Sequence, residues 1–244
     1  MKKNENMALL APYIRVNNRQ RNLDFYEHIL GLRVLHEENA FAFLGGHAAR
    51  ETRLTLEESP SYRTRAVNGP KKLHTLVLKA DTAEIAELLA RKIPVERVYK
   101  GQTGYAFSAL SPEGDRLLLH GEDDVTTLEP VPYPDLLADS GFNGLSDVIV
   151  DRLVLNVPDR SVSLSFYDCL PLSVELNEAQ GADLQADNDQ TWDISMVECS
   201  VDKTVDLASF AVICKDLGLE TTLNKKETAL IVTDPSRLDW WFVK

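Results

Sequence analysis

The sequence predicts an α+β protein of two tandem domains, in which one small unit of strand, helix and hairpin occurs four times. Two observations carry this: an internal repeat, and a Pro-rich acidic boundary over residues 121–147. Val16 opens VNNRQRNLDFYEHILGLRV and Val157 opens VPDRSVSLSFYDCLPLSV. With one residue deleted near Leu170, the valine, the Asn18/Asp159 pair, the Phe-Tyr dipeptide and the closing valine coincide, which is the mark of a duplicated supersecondary unit.

The elements follow in order. Tyr13 to Val16 end a strand, and Leu23, Phe25, Tyr26, Ile29 and Leu30 fall at helical spacing until Gly31 stops the helix. Residues 73–80 alternate as a strand, Asp81/Thr82 cap a helix over 82–91, and residues 105–110 and 116–120 form a hairpin across SPEGD. Leu153, Leu155 and Val157 alternate, and Val162, Leu164, Phe166, Tyr167 and Leu170 supply the third helix. A helix over 207–217, a strand over 229–233 and a last strand over 240–243 behind DPSRLDWW complete the fourth unit. Strand alternation turns one of Trp240 and Trp241 to the core and the other outward. The domains are expected at 1–124 and 147–244, the second shortened, joined by an acidic Pro-rich linker at 125–146.

The chain has 244 residues, 44% of them apolar and 26% charged, enough to bury a core. Its net charge of −12 is unevenly spread: from Leu145 onward there are 18 acidic and eight basic side chains, a net −10. Such acidity argues against nucleic acid or a membrane surface as partner, since both attract Lys and Arg clusters. The basic residues Arg63, Arg65, Lys71 and Lys72 lie together in residues 62–72, expected as a solvated loop or as a contact for an acidic surface. Cys169, Cys199 and Cys214 show no paired spacing and are expected as reduced, buried thiols. Behind Lys2 and Lys3 the apolar stretch 7–10 is too short for a signal-peptide core, so the expected address is cytoplasmic.

FYEHILG, its flanking strands and the later Pro-containing turns resemble the vicinal oxygen chelate superfamily of glyoxalase I, extradiol dioxygenases and bleomycin-resistance proteins. The resemblance implies tandem glyoxalase-like domains of paired βαβββ modules. Each pair cups one sheet around a divalent metal held by the first and last strands of each module. The ligand positions it implies fall on Ala11, on residues 54–57 with Glu57 reached by a register shift, on His74, and on Leu118 with His120 two residues on. In the second domain they fall near Arg152, Ser195 and Trp241. A 2-His-1-carboxylate site needs three converging ligands, and His74, His120 and Glu57 fall short of one, so no metal and no cofactor is expected. Strand parity places Tyr13, Arg15, His74 and His120 on the inner face of the first cup, where Arg15 would receive a small anionic ligand. The plainer reading is that strand histidines hydrogen-bond within the core and that Arg15 pairs with a local acid.

Over its whole length the chain is similar to CppA, a family named for complement C3-degrading proteinase activity. That resemblance implies a hydrolase with complement C3 as partner, reached by non-classical release. The residues carry no HExxH, no GxSxG elbow and no cysteine-protease signature. All five histidines precede residue 121 and all three cysteines follow residue 168, so catalytic residues are not assigned. Three readings stay open: a C3 proteinase, a metal-independent binder of a small anion, and a non-catalytic interaction module, the last two compatible with a homodimer.

Overall fold

The computed structural model describes residues 6–139 and 141–244. The first module is β1 (Met7–Val16), α1 (Arg19–His28), β2 (Arg33–Glu38), β3 (Phe41–Gly45) and β4 (Leu54–Glu58). The second is β5 (Leu73–Lys79), α2 (Thr82–Ala90), β6 (Arg97–Lys100), β7 (Tyr105–Leu110) and β8 (Arg116–His120), followed by a short strand β9 (Glu129–Val131). The third holds β10 (Ile149–Val157), α3 (Arg160–Tyr167) and β11 (Val174–Glu178). The fourth holds β12 (Ile194–Val201), α4 (Leu207–Asp216), β13 (Glu220–Leu223), β14 (Ala229–Thr233) and β15 (Asp239–Val243).

Each helix starts the same way. Asn18, Asp81, Asp159 and Asp206 cap the four N-termini, their side chains accepting from backbone N–H groups of the first turn. Gly31 ends the first helical segment at φ +66°, and a Cβ there would meet Leu88 Cδ2 at 2.8 Å and Leu145 N at 3.3 Å, so the glycine of FYEHILG serves both conformation and close packing.

The modules pair differently from the expected domains. One eight-stranded sheet runs β13-β14-β15-β12-β1-β4-β3-β2 and joins the first module to the fourth; a seven-stranded sheet runs β11-β10-β5-β8-β7-β6-β9 and joins the second to the third. The seams are antiparallel, β1 with β12 and β5 with β10. The expected cup of modules one and two is therefore corrected: neither sheet is built from one half of the chain. The halves are held together instead by contacts between them, such as the Asp193 carboxylate ahead of β12 accepting from Lys72 N ahead of β5 at 2.6 Å. The linker is corrected as well, because its Glu129–Val131 adds an edge strand to β6 and Tyr133 Oη donates to Leu89 O at 2.9 Å.

Two of the helices, α1 and α3, are tied to the next module's hairpin turn. Tyr167 Oη donates to the buried Asp234 in the β14–β15 turn, and Trp240 packs edge-on against Phe166 and Tyr167 at 6.1 and 5.5 Å. In the other half Asn22 Nδ2 donates to Glu113 Oε1 in the β7–β8 turn at 3.2 Å. Trp240 is fully buried and Trp241 half-buried on the opposite face, as alternation requires. Cys199 and Cys214 are buried, but Cys169 is exposed, because it lies just beyond the end of α3.

The basic stretch is a solvated loop only in part: Arg63 is exposed, whereas Arg65, Lys71 and Lys72 are each engaged by the chain itself. Arg65 grips Asp183 with both terminal nitrogens, at 2.6 and 2.7 Å, and holds that carboxyl down to about pKa 2. Lys71 pairs with the buried Asp115, and Lys72 Nζ donates to Ala186 O at 2.7 Å. Asp193 closes the clasp: its carboxylate accepts from Lys72 N at 2.6 Å, Leu73 N at 3.2 Å and Ile194 N at 2.8 Å. The acidic surface that residues 62–72 meet belongs to the same chain.

Burial pushes Asp193 up to about pKa 6, above the unfolded value of 3.8. The stability it contributes is therefore complete below the unfolded value and is lost as pH rises through about 6. In denaturant unfolding, the stability difference between wild type and Asp193→Asn is expected to fall across that window. A flat difference would show that Asp193 titrates alike in both states.

Candidate functional site

The face of the first sheet turned away from the helices carries the candidate site. Strand alternation sends Ile14, Val16, Leu54, Leu56, Val197 and Phe242 into the core. It sends Tyr13 and Arg15 of β1, Glu57 of β4, Glu198 of β12 and Trp241 of β15 to the open face. Register sets Arg15 beside Glu57 and Glu198 beside Trp241. Arg15 Nη2 donates to Glu57 Oε2 at 2.8 Å, the two side chains 13% and 21% exposed, and Tyr13 Oη donates to Glu198 Oε2 at 3.2 Å. Burial raises the carboxyl of Glu57 against the lowering effect of Arg15, and raises Glu198 against its bond from Tyr13. Burial and the neighbouring Glu198 charge push Tyr13 up to about pKa 12. Phe41 meets Tyr13 edge-on at 6.4 Å, and Phe43 stacks on His36 at 4.1 Å.

Arg15 also lines a cleft of about 520 Å³ at the β14–β15 end of this face. Its other walls include Asp187, Asp189, Glu220 and Asp239, with Arg237 tied to Asp187. Two guanidiniums thus line the cleft, Arg237 engaged with Asp187 and Arg15 facing Asp189, Glu220 and Asp239 across a shared volume.

His74 and His120 lie on the second sheet, away from Tyr13 and Arg15, so the four residues expected in one pocket are split in two pairs. His74 is exposed where the β5–β10 register shifts, its Nδ1 2.9 Å from Thr75 Oγ1. His120 is buried; its Nδ1 accepts from Glu122 N at 3.2 Å, which leaves the proton on Nε2, 3.6 Å from Asp151 Oδ2. Leu118, beside it in β8, lines a separate cleft of about 520 Å³ with Thr75, Ser108 and Arg116.

The residues do not fit a chelated metal. His74, His120 and Glu57 lie on different sheets and do not converge. Of the implied positions, Ala11 and Trp241 offer no ligand and Glu57 is neutralised by Arg15; a further carboxylate on that face, Glu198, is bound by Tyr13. Among the described residues no three His, Cys, Asp or Glu side chains form a metal-holding group. Nor do the thiols form a nucleophile with the histidines: burial raises Cys199 far above the usual thiol range and Cys214 to about 11. The exposed Cys169 Sγ donates to Ser165 O at 3.4 Å. Sequence reasoning missed Glu198, Asp187 and Asp239 because it sought partners for Tyr13 within the first half. The alternation of Met196, Glu198 and Ser200 against Val197, Cys199 and Val201 was the available signal.

Residues 9–131 match the family described as CppA N-terminal and residues 145–242 that described as CppA C-terminal. The chain belongs to the CppA family. The crystal structure of the cppA protein from Streptococcus pneumoniae TIGR4 is similar over 98% of this chain and 100% of that one, at 35% identity and TM-score 0.88. Glyoxalase I from Zea mays is similar over 98% of this CppA-family chain and 92% of its own, at 15% identity and TM-score 0.56. The fold is thus the tandem glyoxalase-like, vicinal oxygen chelate architecture. No curated protein matches the chain. No helix among the described residues is long and apolar enough to cross a membrane.

Arg15→Ala strands a half-buried carboxylate at Glu57 and is expected to lower stability by about 1–3 kcal/mol in chemical denaturation, between exposed and fully buried pairs. Arg15→Ala combined with Glu57→Gln is expected to recover part of that loss. A double variant no better than the single would mean that the pair is not coupled.

Proposed function

We propose that this CppA-family protein acts through the open face of its first sheet as a metal-independent binding protein for a small zwitterionic ligand. The observation that supports this reading is the cleft at Arg15, where a guanidinium with donors beyond its bond to Glu57 faces Asp189, Glu220 and Asp239, while Asp187 is held by Arg237. An anionic group on the ligand meets Arg15, as the sequence suggests, and the carboxylate wall calls for an ammonium group on the same molecule. Trp241 and the Tyr13–Phe41 pair supply apolar surface on the same face. Thermal unfolding with γ-aminobutyrate, acetate and butylamine tests this: the zwitterion raises Tm, the single-charge probes raise it less, and Arg15→Ala abolishes the effect. No stabilisation by any probe, or a shift indifferent to Arg15→Ala, sinks the reading.

Family membership supports a second reading, cleavage of complement C3 by this protein outside the cell. It draws on resemblance alone, since among the described residues no cysteine is hydrogen-bonded to a histidine. Incubation of repurified protein with intact C3, with and without a chelator, followed by gel electrophoresis, is the check. This reading expects defined fragments that persist through repurification; intact C3 beside a digesting control protease removes it.

A further inference from the structure

The third module is a truncated copy of the first. In the first, β4 lies parallel to β1 and is covered on its far side by β3, antiparallel from Phe41 opposite Glu57 to Leu44 opposite Leu54. In the third, β11 takes the place of β4, parallel to β10, and ends the seven-stranded sheet. Among the described residues no strand pairs with its outer side. The ladder shows which groups point outward. Leu153 N donates to Ser173 O and Ala179 N donates to Val157 O, so the odd-numbered residues of β11 bond to β10. The N–H and C=O of Leu176 and the N–H of Glu178 are thereby directed to the open side. The edge carries no Pro, Lys or bulge; its only protection is its five-residue length and the charges of Glu175 and Glu178. Alongside it, Leu164 and Tyr167 of α3 with Val174 and Leu176 of β11 line a groove of about 320 Å³ where the first module has further strands.

We propose that this edge accepts an extended basic segment of a partner protein as an added strand, antiparallel to β11 as β3 is to β4. Backbone pairing to Leu176 and Glu178 supplies affinity, and side chains at alternate positions of the added strand fill the groove below α3. Charge decides between candidate occupants. Arg160, Asp168 and Glu175 line the groove, Glu175 paired with Arg152, and Glu178 closes it; Asp168 and Glu178 leave the edge negative, within a half of the chain that carries −10. A second copy would bring the same negative half to the junction, whereas Lys or Arg between the apolar positions meets it favourably.

The probe is a fluorescein-labelled heptapeptide, KVKVKVK, titrated with full-length protein by anisotropy at about 0.15 M salt. Its controls are KKVVVKK, of equal composition without alternation, and KVKVKVK N-methylated at alternate residues, which cannot pair and leaves the protein untouched. Saturable binding of the alternating peptide is expected, weakened about tenfold or more by N-methylation, by scrambling and by Leu176→Pro, which removes an outward N–H while sparing the bonds to β10. Absence of binding, or equal binding of the N-methylated or scrambled peptide, overturns the proposal. So does a dimer in sedimentation velocity that Leu176→Pro dissolves, which would give the edge to a second copy.

Discussion

Asp193 and Lys72 sit at the same point of two related modules, each just ahead of the strand that opens its module, and their contact is where the halves of the chain are held. Arg15 N donates to Asp193 O at 2.9 Å, and Asn156 N donates to Lys72 O at 2.8 Å, so the two bonds mirror one another. Between these mirrored bonds the Asp193 carboxylate takes the backbone N–H of Lys72 itself. A buried carboxylate is costly unless every lone pair is used, and here it is used to satisfy strand-opening N–H groups that have no ladder partner. Burial lowers the ammonium of Lys72 while surrounding carboxylates, Asp193 first, hold it up. Two equal residues at these positions would place like charges together. Lys72 and Asp193 attract one another there instead.

The remainder of the arrangement follows from that junction. With the two crossovers clasped by Arg65 and Asp183, β1 has β12 as its neighbour and β5 has β10. The helices then bridge the sheets, α1 reaching the β7–β8 turn through Asn22 and α3 the β14–β15 turn through Tyr167. The open face of the first sheet inherits its chemistry from both ends of the chain, which is why Tyr13 meets Glu198.

Local structure was legible where periodicity speaks. The helices at Leu23–Leu30 and Leu207–Leu217, the SPEGD hairpin and the opposite facings of Trp240 and Trp241 follow from spacing and caps. Which module shares a sheet with which was not legible, because every first strand has the same alternating pattern and would pair acceptably with any other. The candidate site suffered in consequence. Strand parity puts Tyr13 and Arg15 on one face of β1, while grouping His74 and His120 with them assumes a sheet pairing the chain does not adopt. The charge run of residues 62–72 was visible, but its partner was not, since Asp183 lies in a stretch whose acidity reads as surface.

The crossed pairing also sets the order in which the protein can be made. Tyr13 and its partner Glu198 are separated by 185 residues. A nascent chain therefore carries β1 without its seam neighbour until nearly the whole sequence has left the ribosome, and β5 waits for β10. Contacts so remote in sequence slow folding. Meanwhile the emerging first half presents two unpaired sheet edges, the exposure that chaperones commonly shield.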